Sequence, residues 1–251
     1  MIDTHAHLQS ERLDYRRIVD EMVNDGLEKI ICVGYDLATS EMGVRIATDH
    51  ENIFATVGIH PNSVSEAKNG DLEKIYRLSK NKKVVAIGEI GLDYFHKFSD
   101  RDTQKRFLLE QLDLAEASGL PIIFHLRDAY LDMQSIINQN KHKIKNGAVM
   151  HCFSGSIETA RFYTDLGYYI SFGGSVTFKN AAKDEIVKSI PIDRLLAETD
   201  CPWMSPEPFR SKVNEPKNVR LVINKLASIL QMDFEETERI TSENASRLFK
   251  I

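Results

Sequence analysis

Short apolar runs rich in β-branched residues recur along the chain. They cover Met1–His5, Lys29–Val33, Ile53–Ile59, Val84–Gly88, Pro121–Phe124, Gly147–Met150, Tyr168–Phe172 and Leu195–Ala197. Near-continuous apolar runs of this length suit strands of a parallel sheet covered on both faces. Segments with helical spacing lie between them: Glu41–His50, Asp71–Lys80, Ala129–Asn140, Ser156–Leu166, Asn180–Ser189 and Asn218–Ile229. Another places Leu108, Leu112 and Ala115 on one face and stops at Gly119. Asp233 with Glu236 has the spacing of a capping box and predicts one more short helix. Alternating strands and helices predict parallel pairing with right-handed crossovers. Eight strand-like runs in 251 residues favour one closed (β/α)8 barrel of the TIM type, a single domain over 1–251. An open doubly wound sheet is the alternative, but no Gly-rich dinucleotide turn follows the first run. Pro202, Pro206, Pro208 and Pro216 read as a stiff loop after the last strand, not as a domain boundary.

Composition narrows the picture. Hydrophobic residues make up 42% of the chain and charged ones 27%, enough for a sizeable soluble core. No run approaches the roughly 18–20 apolar residues of a membrane span. The opening MIDTHAHL has neither a basic leader nor an apolar segment, so a cytoplasmic protein with no membrane partner is expected. Cys32, Cys152 and Cys201 show no CxxC spacing and are expected as reduced thiols. A net charge of −5 argues against a protein that coats duplex DNA. Any nucleic-acid contact should be local to the active site.

In such a barrel, chemistry sits at the C-terminal ends of the strands. There the sequence places His5 and His7, His60, Glu89 and Asp93-Tyr94, His125 and Arg127, His151 and Ser154, Gly173-Gly174, and Glu198 and Asp200. Five of the eight histidines fall at these ends. Imidazoles and carboxylates are the usual ligands of Zn²⁺ and related divalent ions. His5 and His7 alternate along a strand and so share a face. An HxH pair alone is a weak signal. With His125, His151, Glu89 and Asp200 at further strand ends it becomes a strong one, and these six are the candidate metal ligands. Cys152 and Cys201 adjoin two of them, but alternation turns both thiols away from the barrel interior.

The order of motifs resembles the TatD family of metal-dependent deoxyribonucleases, within the amidohydrolase-like barrels. The likeness runs through DTHAHL, VGIHP, GEIGLDY, PIIFHLRDA, MHCFSGS and ETDCPW to Asn244, Arg247 and Phe249, essentially the whole chain. Cys201 and Trp203 depart from it, where a small residue and a tyrosine are expected. The resemblance implies two divalent ions, Zn²⁺, Mn²⁺ or Mg²⁺. His5, His7 and Asp200 would hold the first, His125 and His151 the second, and Glu89 would bridge. Asp200 and Glu89 are the expected catalytic carboxylates, with Asp200 available as general base. It also implies cleavage of DNA, at single-stranded 3′ ends. Two divalent ions outweigh Glu89 and Asp200, so the site suits an anionic phosphodiester.

Substrate contacts are expected from His60, Asp93, Tyr94, Arg127, Ser154, Gly173 and Arg210, with support of the ligands from behind as the alternative for His60, and orientation of ligands or a plain turn role as alternatives for Asp93 and Tyr94. The glycine pair is expected to be exposed and to offer backbone N–H groups. Lys97, Arg101, Arg127, Lys179, Arg210 and Lys212 follow strands and should share the catalytic face. Lys80, Lys82, Lys83, Lys141, Lys143 and Lys145 precede strands and should lie opposite. Phe153, Phe178, Trp203 and Phe209 lie in catalytic-face loops, with packing the default role and base stacking the alternative. His50, His96 and His142 read as solvated surface. Two other functions fit the same residues. One is hydrolysis of a small amide, lactone or phosphoester, although related barrels of that kind often carry a carboxylated lysine where this chain has Glu89. The other is a non-catalytic metal-binding scaffold, for which an open ligand set has no use.

Overall fold

The structure, a computed structural model, describes all residues from Met1 to Ile251. Eight parallel strands run in chain order around a barrel: β1 (Ile2–Ala6), β2 (Lys29–Val33), β3 (Ile53–Val57), β4 (Val84–Asp93), β5 (Ile122–Arg127), β6 (Ala148–Met150), β7 (Tyr169–Phe172) and β8 (Leu195–Ala197). Nine α-helices surround them: α1 (Tyr15–Glu21), α2 (Leu37–Asp49), α3 (Asp71–Leu78), α4 (Arg101–Ser118), α5 (Tyr130–Asn140), α6 (Ile157–Asp165), α7 (Asp184–Ser189), α8 (Val219–Leu230) and α9 (Phe234–Phe249). The fold is a single-domain (β/α)8 barrel. No helix is long and apolar enough to cross a membrane.

A parallel bridge between Ala6 and Cys201 closes the ring from β1 to the end of β8. His7 N–H donates to the Cys201 carbonyl and Asp200 N–H to the His5 carbonyl, both at 2.8 Å. Asp3 adds a side-chain tie, accepting from Thr199 N–H at 2.9 Å and Thr199 Oγ1 at 2.6 Å.

The barrel interior changes character along its axis. Ile123 and His125, Val149 and His151, and Leu196 and Glu198 are two apart, so each pair shares a face. The lower members pack in one apolar cluster with Leu248 and Phe249 of α9, which plug the base. The upper members form a polar layer above it.

Three expectations change. β4 does not stop at Gly88 but runs to Asp93, pairing with β5 as far as Asp93–Arg127. Gly91 permits this: a Cβ there would lie 1.9 Å from the His125 carbonyl oxygen. The last helix, α9, has 16 residues and is not short. Its N-cap Asp233 makes no side-chain capping bond, so the capping box does not form. Asp233 contributes through its carbonyl, which accepts from Thr237 Oγ1 at 2.9 Å.

Candidate metal centre

Six strand-end side chains converge at the mouth of the barrel. His5 Nε2 and His7 Nε2 lie 3.3 Å apart. Asp200 Oδ1 is 3.4 Å from His7 Nε2 and 3.9 Å from His5 Nε2. Opposite, Glu89 Oε1 lies 2.7 Å from both His125 Nδ1 and His151 Nε2. Those two nitrogens are 3.3 Å apart. Glu89 Oε2 reaches back to within 3.4 Å of His5 Nε2, so this carboxylate spans both groups.

The far nitrogens fix which atoms face inward. His7 Nδ1 donates to the Val33 carbonyl at 2.8 Å. His151 Nδ1 donates to Glu198 Oε1 at 3.2 Å, and His125 Nε2 to Asp93 Oδ2 at 3.1 Å. Each near nitrogen therefore presents a lone pair to the pocket. For His125 and His151 that lone pair faces a carboxylate oxygen at 2.7 Å, an arrangement that needs a proton or a cation between the two atoms. His5 differs, because its buried Nδ1 has no partner.

These residues fit divalent metal. Separations of 3.3–3.4 Å equal the edge of a coordination tetrahedron with bonds of about 2.0–2.1 Å. His5, His7 and Asp200 can converge on one ion, and so can His5, His151 and Glu198. The ionisable nitrogens within 4.0 Å of the Glu89, Asp93, Glu198 and Asp200 carboxylates all belong to histidines. Protons supply the missing charge when no cation does. Burial opposes charge on His151, but Glu89 and Glu198 outweigh it and hold the imidazole well above its ordinary pKa. Burial also opposes ionisation of Glu89, but His151, His60 and His125 together hold it well below the usual carboxylate range. A divalent ion would replace those protons.

His60 faces the same pocket in the opposite sense. Its Nδ1 accepts from Asn62 N–H at 3.0 Å, so the hydrogen sits on Nε2, 3.4 Å from Glu89 Oε1. Burial, reinforced by His125, pushes its pKa down to about 4. His60 is a neutral N–H donor here, and its inward nitrogen offers no lone pair to a metal.

The other expected substrate contacts divide. Arg127, Arg210 and Ser154 are exposed on the rim. Asp93 cannot touch substrate directly: it is fully buried and orients His125, while also accepting from His96 Nδ1 at 2.9 Å and Asn62 Nδ2 at 3.2 Å. Tyr94 turns its hydroxyl to Asp132, at 2.6 Å, and not to the cluster. Gly173 and Gly174 are buried, contrary to the exposed N–H pair expected from sequence. The loop after β8 covers Gly174, where a Cβ would lie 1.8 Å from the Met204 carbonyl oxygen, while Gly173 faces Glu198. Phe153 is also buried and serves packing. His96 is bound to Asp93 and is not free surface.

Sequence reasoning gave no role to three supporting groups. Glu198 is buried and accepts from both His151 and the Cys152 N–H, the latter at 2.7 Å. Its position two residues before Asp200 was the available signal, matching the His5–His7 alternation. Asp3 ties the ends of β1 and β8. Lys183 is buried, donating to the Phe153 carbonyl and to Ser175 Oγ, both at 2.8 Å. It thereby joins the loops after β6 and β7. The three cysteines are free, and burial pushes the thiol pKa of Cys152 up to about 11 and of Cys32 up to about 12. Neither is a poised nucleophile.

Comparison with known proteins gives this geometry a context. The family model described as TatD related DNase matches residues 2–250. A Bacillus subtilis (strain 168) protein named uncharacterized metal-dependent hydrolase YabD is 44% identical, covering 100% of this chain and 99% of its own length. YcfH of Escherichia coli (strain K12), with the same description, is 34% identical over 100% of this chain and 96% of its own. The crystal structure of YJJV, a TatD homologue from E. coli K12, superposes with a TM-score of 0.94 at 29% identity, covering 100% and 98% of the two chains. A barrel with this donor cluster and these relatives is a metal-dependent hydrolase. Within that class, the chain belongs to the TatD family.

Proposed function

We propose that this chain hydrolyses phosphodiester bonds of DNA, taking nucleotides from single-stranded 3′ ends. The observation that carries the reading is a lone-pair-lined acidic cluster set beneath unpaired cations. Lys97, Arg101, Arg127, Lys179, Arg210 and Lys212 have no carboxylate oxygen within 4.0 Å. Four of them instead stack on aromatic rings: Arg101 on Tyr94, Arg127 on Phe95, Arg210 on Phe178 and Lys212 on Phe209. Stacking positions a cation without neutralising it, which leaves it available to backbone phosphates. The net charge of −5 agrees with binding confined to this rim.

His5, His7 and Asp200 would hold one divalent ion, His125 and His151 a second, and Glu89 would face both. Such a pair supplies a water that ionises near neutral pH and Lewis acidity toward phosphoryl oxygens. Asp200 is held below the usual carboxylate range, where burial is outweighed by His7 and its neighbours. It stays ionised and accepts the proton of the attacking water. The His60 Nε2–H is available to a non-bridging phosphate oxygen. Asp93 and Glu198 keep His125 and His151 in the required tautomers.

The test is metal-stripped protein incubated with 5′-labelled single-stranded DNA, with Mg²⁺, Mn²⁺ or Zn²⁺ restored separately. Stepwise shortening from the 3′ end should require metal. It should fall more than about 100-fold in both Glu89→Ala and Asp200→Ala. Intact DNA with metal bound would overturn the substrate assignment and turn attention to amides, lactones and small phosphoesters.

A further inference from the structure

Exposed Phe and Trp rings on this molecule are concentrated, although single aliphatic side chains such as Val23, Leu109, Leu131 and Ile192 are exposed elsewhere. Of twelve phenylalanines and one tryptophan, only Phe95, Phe98, Trp203 and Phe209 are exposed. All four lie in two loops. Phe95 and Phe98 follow β4, while Trp203 and Phe209 follow β8. In a ring ordered β1 to β8 these strands are half a turn apart, so the loops rise on opposite sides of the mouth. Each loop is joined to the cluster. Trp203 meets the His7 ring edge-on at 5.0 Å. The His96 ring stacks on Phe98 at 5.9 Å, and its Nδ1 binds Asp93, which orients His125.

Each side also pairs a ring with a free cation. Arg127 lies 4.0 Å over Phe95, and Lys212 lies 5.5 Å over Phe209. Rings alternating with unpaired cations match the chemistry of one ligand class, a chain of planar bases on a phosphate backbone. A duplex hides its base faces, so the match is to a single strand. Resting on the phosphodiesterase reading above, we propose that the two loops form a two-sided base-stacking clamp. Trp203 and Phe209 take bases on one side of the cluster, and Phe95 and Phe98 take bases on the other. Arg127 and Lys212 hold the phosphates between them.

The clamp makes the bases themselves a source of affinity. It is tested with metal-loaded protein and fluorescein-labelled oligothymidylate carrying phosphorothioate linkages that resist cleavage. An abasic strand of equal length and linkage is the control, and anisotropy is the readout. The base-bearing strand should bind more than about 10-fold tighter. Trp203→Ala and Phe98→Ala should each remove about 5-fold or more of that preference and leave abasic binding unchanged. Trp203→Phe should restore much of it, which separates stacking from misfolding. Arg127→Ala should weaken both strands alike. Equal binding of the two strands by wild type, or unchanged preference in both alanine variants, overturns the clamp even if DNA is cleaved. Base-selective binding lost in those variants, without cleavage of ordinary DNA, upholds the clamp and overturns the hydrolytic reading instead.

Discussion

The two ends of the ligand cluster are braced by different chemistry. Where β1 meets β8, His7 leans on a neutral carbonyl, that of Val33, and Asp3 and the backbone stitch the strands together. At β5 and β6, His125 and His151 lean on the buried carboxylates Asp93 and Glu198. A carboxylate behind an imidazole raises the basicity of its inward lone pair, and a carbonyl does so far less. The β5–β6 end should therefore grip a cation through ligand strength, and the β1–β8 end through geometry.

The largest effect expected from this contrast falls on Glu198. Glu198→Gln should weaken metal binding by about 10–100-fold, and Asp93→Asn should do the same through His125. Chelator competition with metal analysis should find one ion lost well before the other in each variant. Simultaneous loss of all metal would mean that the ends are not independent. An intermediate effect is expected on stability. Burial raises the Asp3 pKa to about 8 against the hydrogen bonds of Thr199 and His5, from an ordinary value of 3.8. A raised carboxyl favours the folded state fully below the unfolded pKa, and that advantage is lost as pH rises through the folded one. Metal-stripped wild type should thus lose at least about 2–4 °C of Tm between pH 5 and 9 relative to Asp3→Asn. Parallel melting curves of the two proteins over that range would remove Asp3 from the seam's energetics. The smallest effect belongs to Gln9, whose Nε2 donates to the same Val33 carbonyl at 2.7 Å. Gln9→Leu leaves His7 its acceptor, so metal affinity should change less than about threefold. A tenfold loss would show that the carbonyl end also depends on its outer hydrogen bonds.

The same contrast explains what the sequence made legible. Strand-end histidines are visible because residue type and strand period coincide, as at His125 and His151. Their braces are less visible. Val33 acts through a backbone carbonyl, which carries no residue signature. Asp93 is readable as a polar residue near the site, but only its burial distinguishes orienting a ligand from touching a substrate. The elements show a similar limit. The helix α1 has a legible apolar stripe, Tyr15, Ile18, Val19 and Met22 at its C-cap, but at seven residues it is too short to stand out beside the longer helices. The inner face of α9 includes Thr237, Thr241 and Asn244, and these polar residues hide its length. Gly174 announces a tight place, but only the folded loop shows that Met204 fills it.

The seam between β1 and β8 has a consequence for assembly. Asp3 and Thr199 are 196 residues apart, yet they frame the trio His5, His7 and Asp200. Contacts of that span repay their loop-closure entropy late in folding. A chain arrested before the ring closes could already hold Glu89, His125 and His151 on neighbouring strands but would lack Asp200 beside His7. Hydrolytic competence would then arrive in one step with ring closure, so that no half-made barrel is a loose hydrolase.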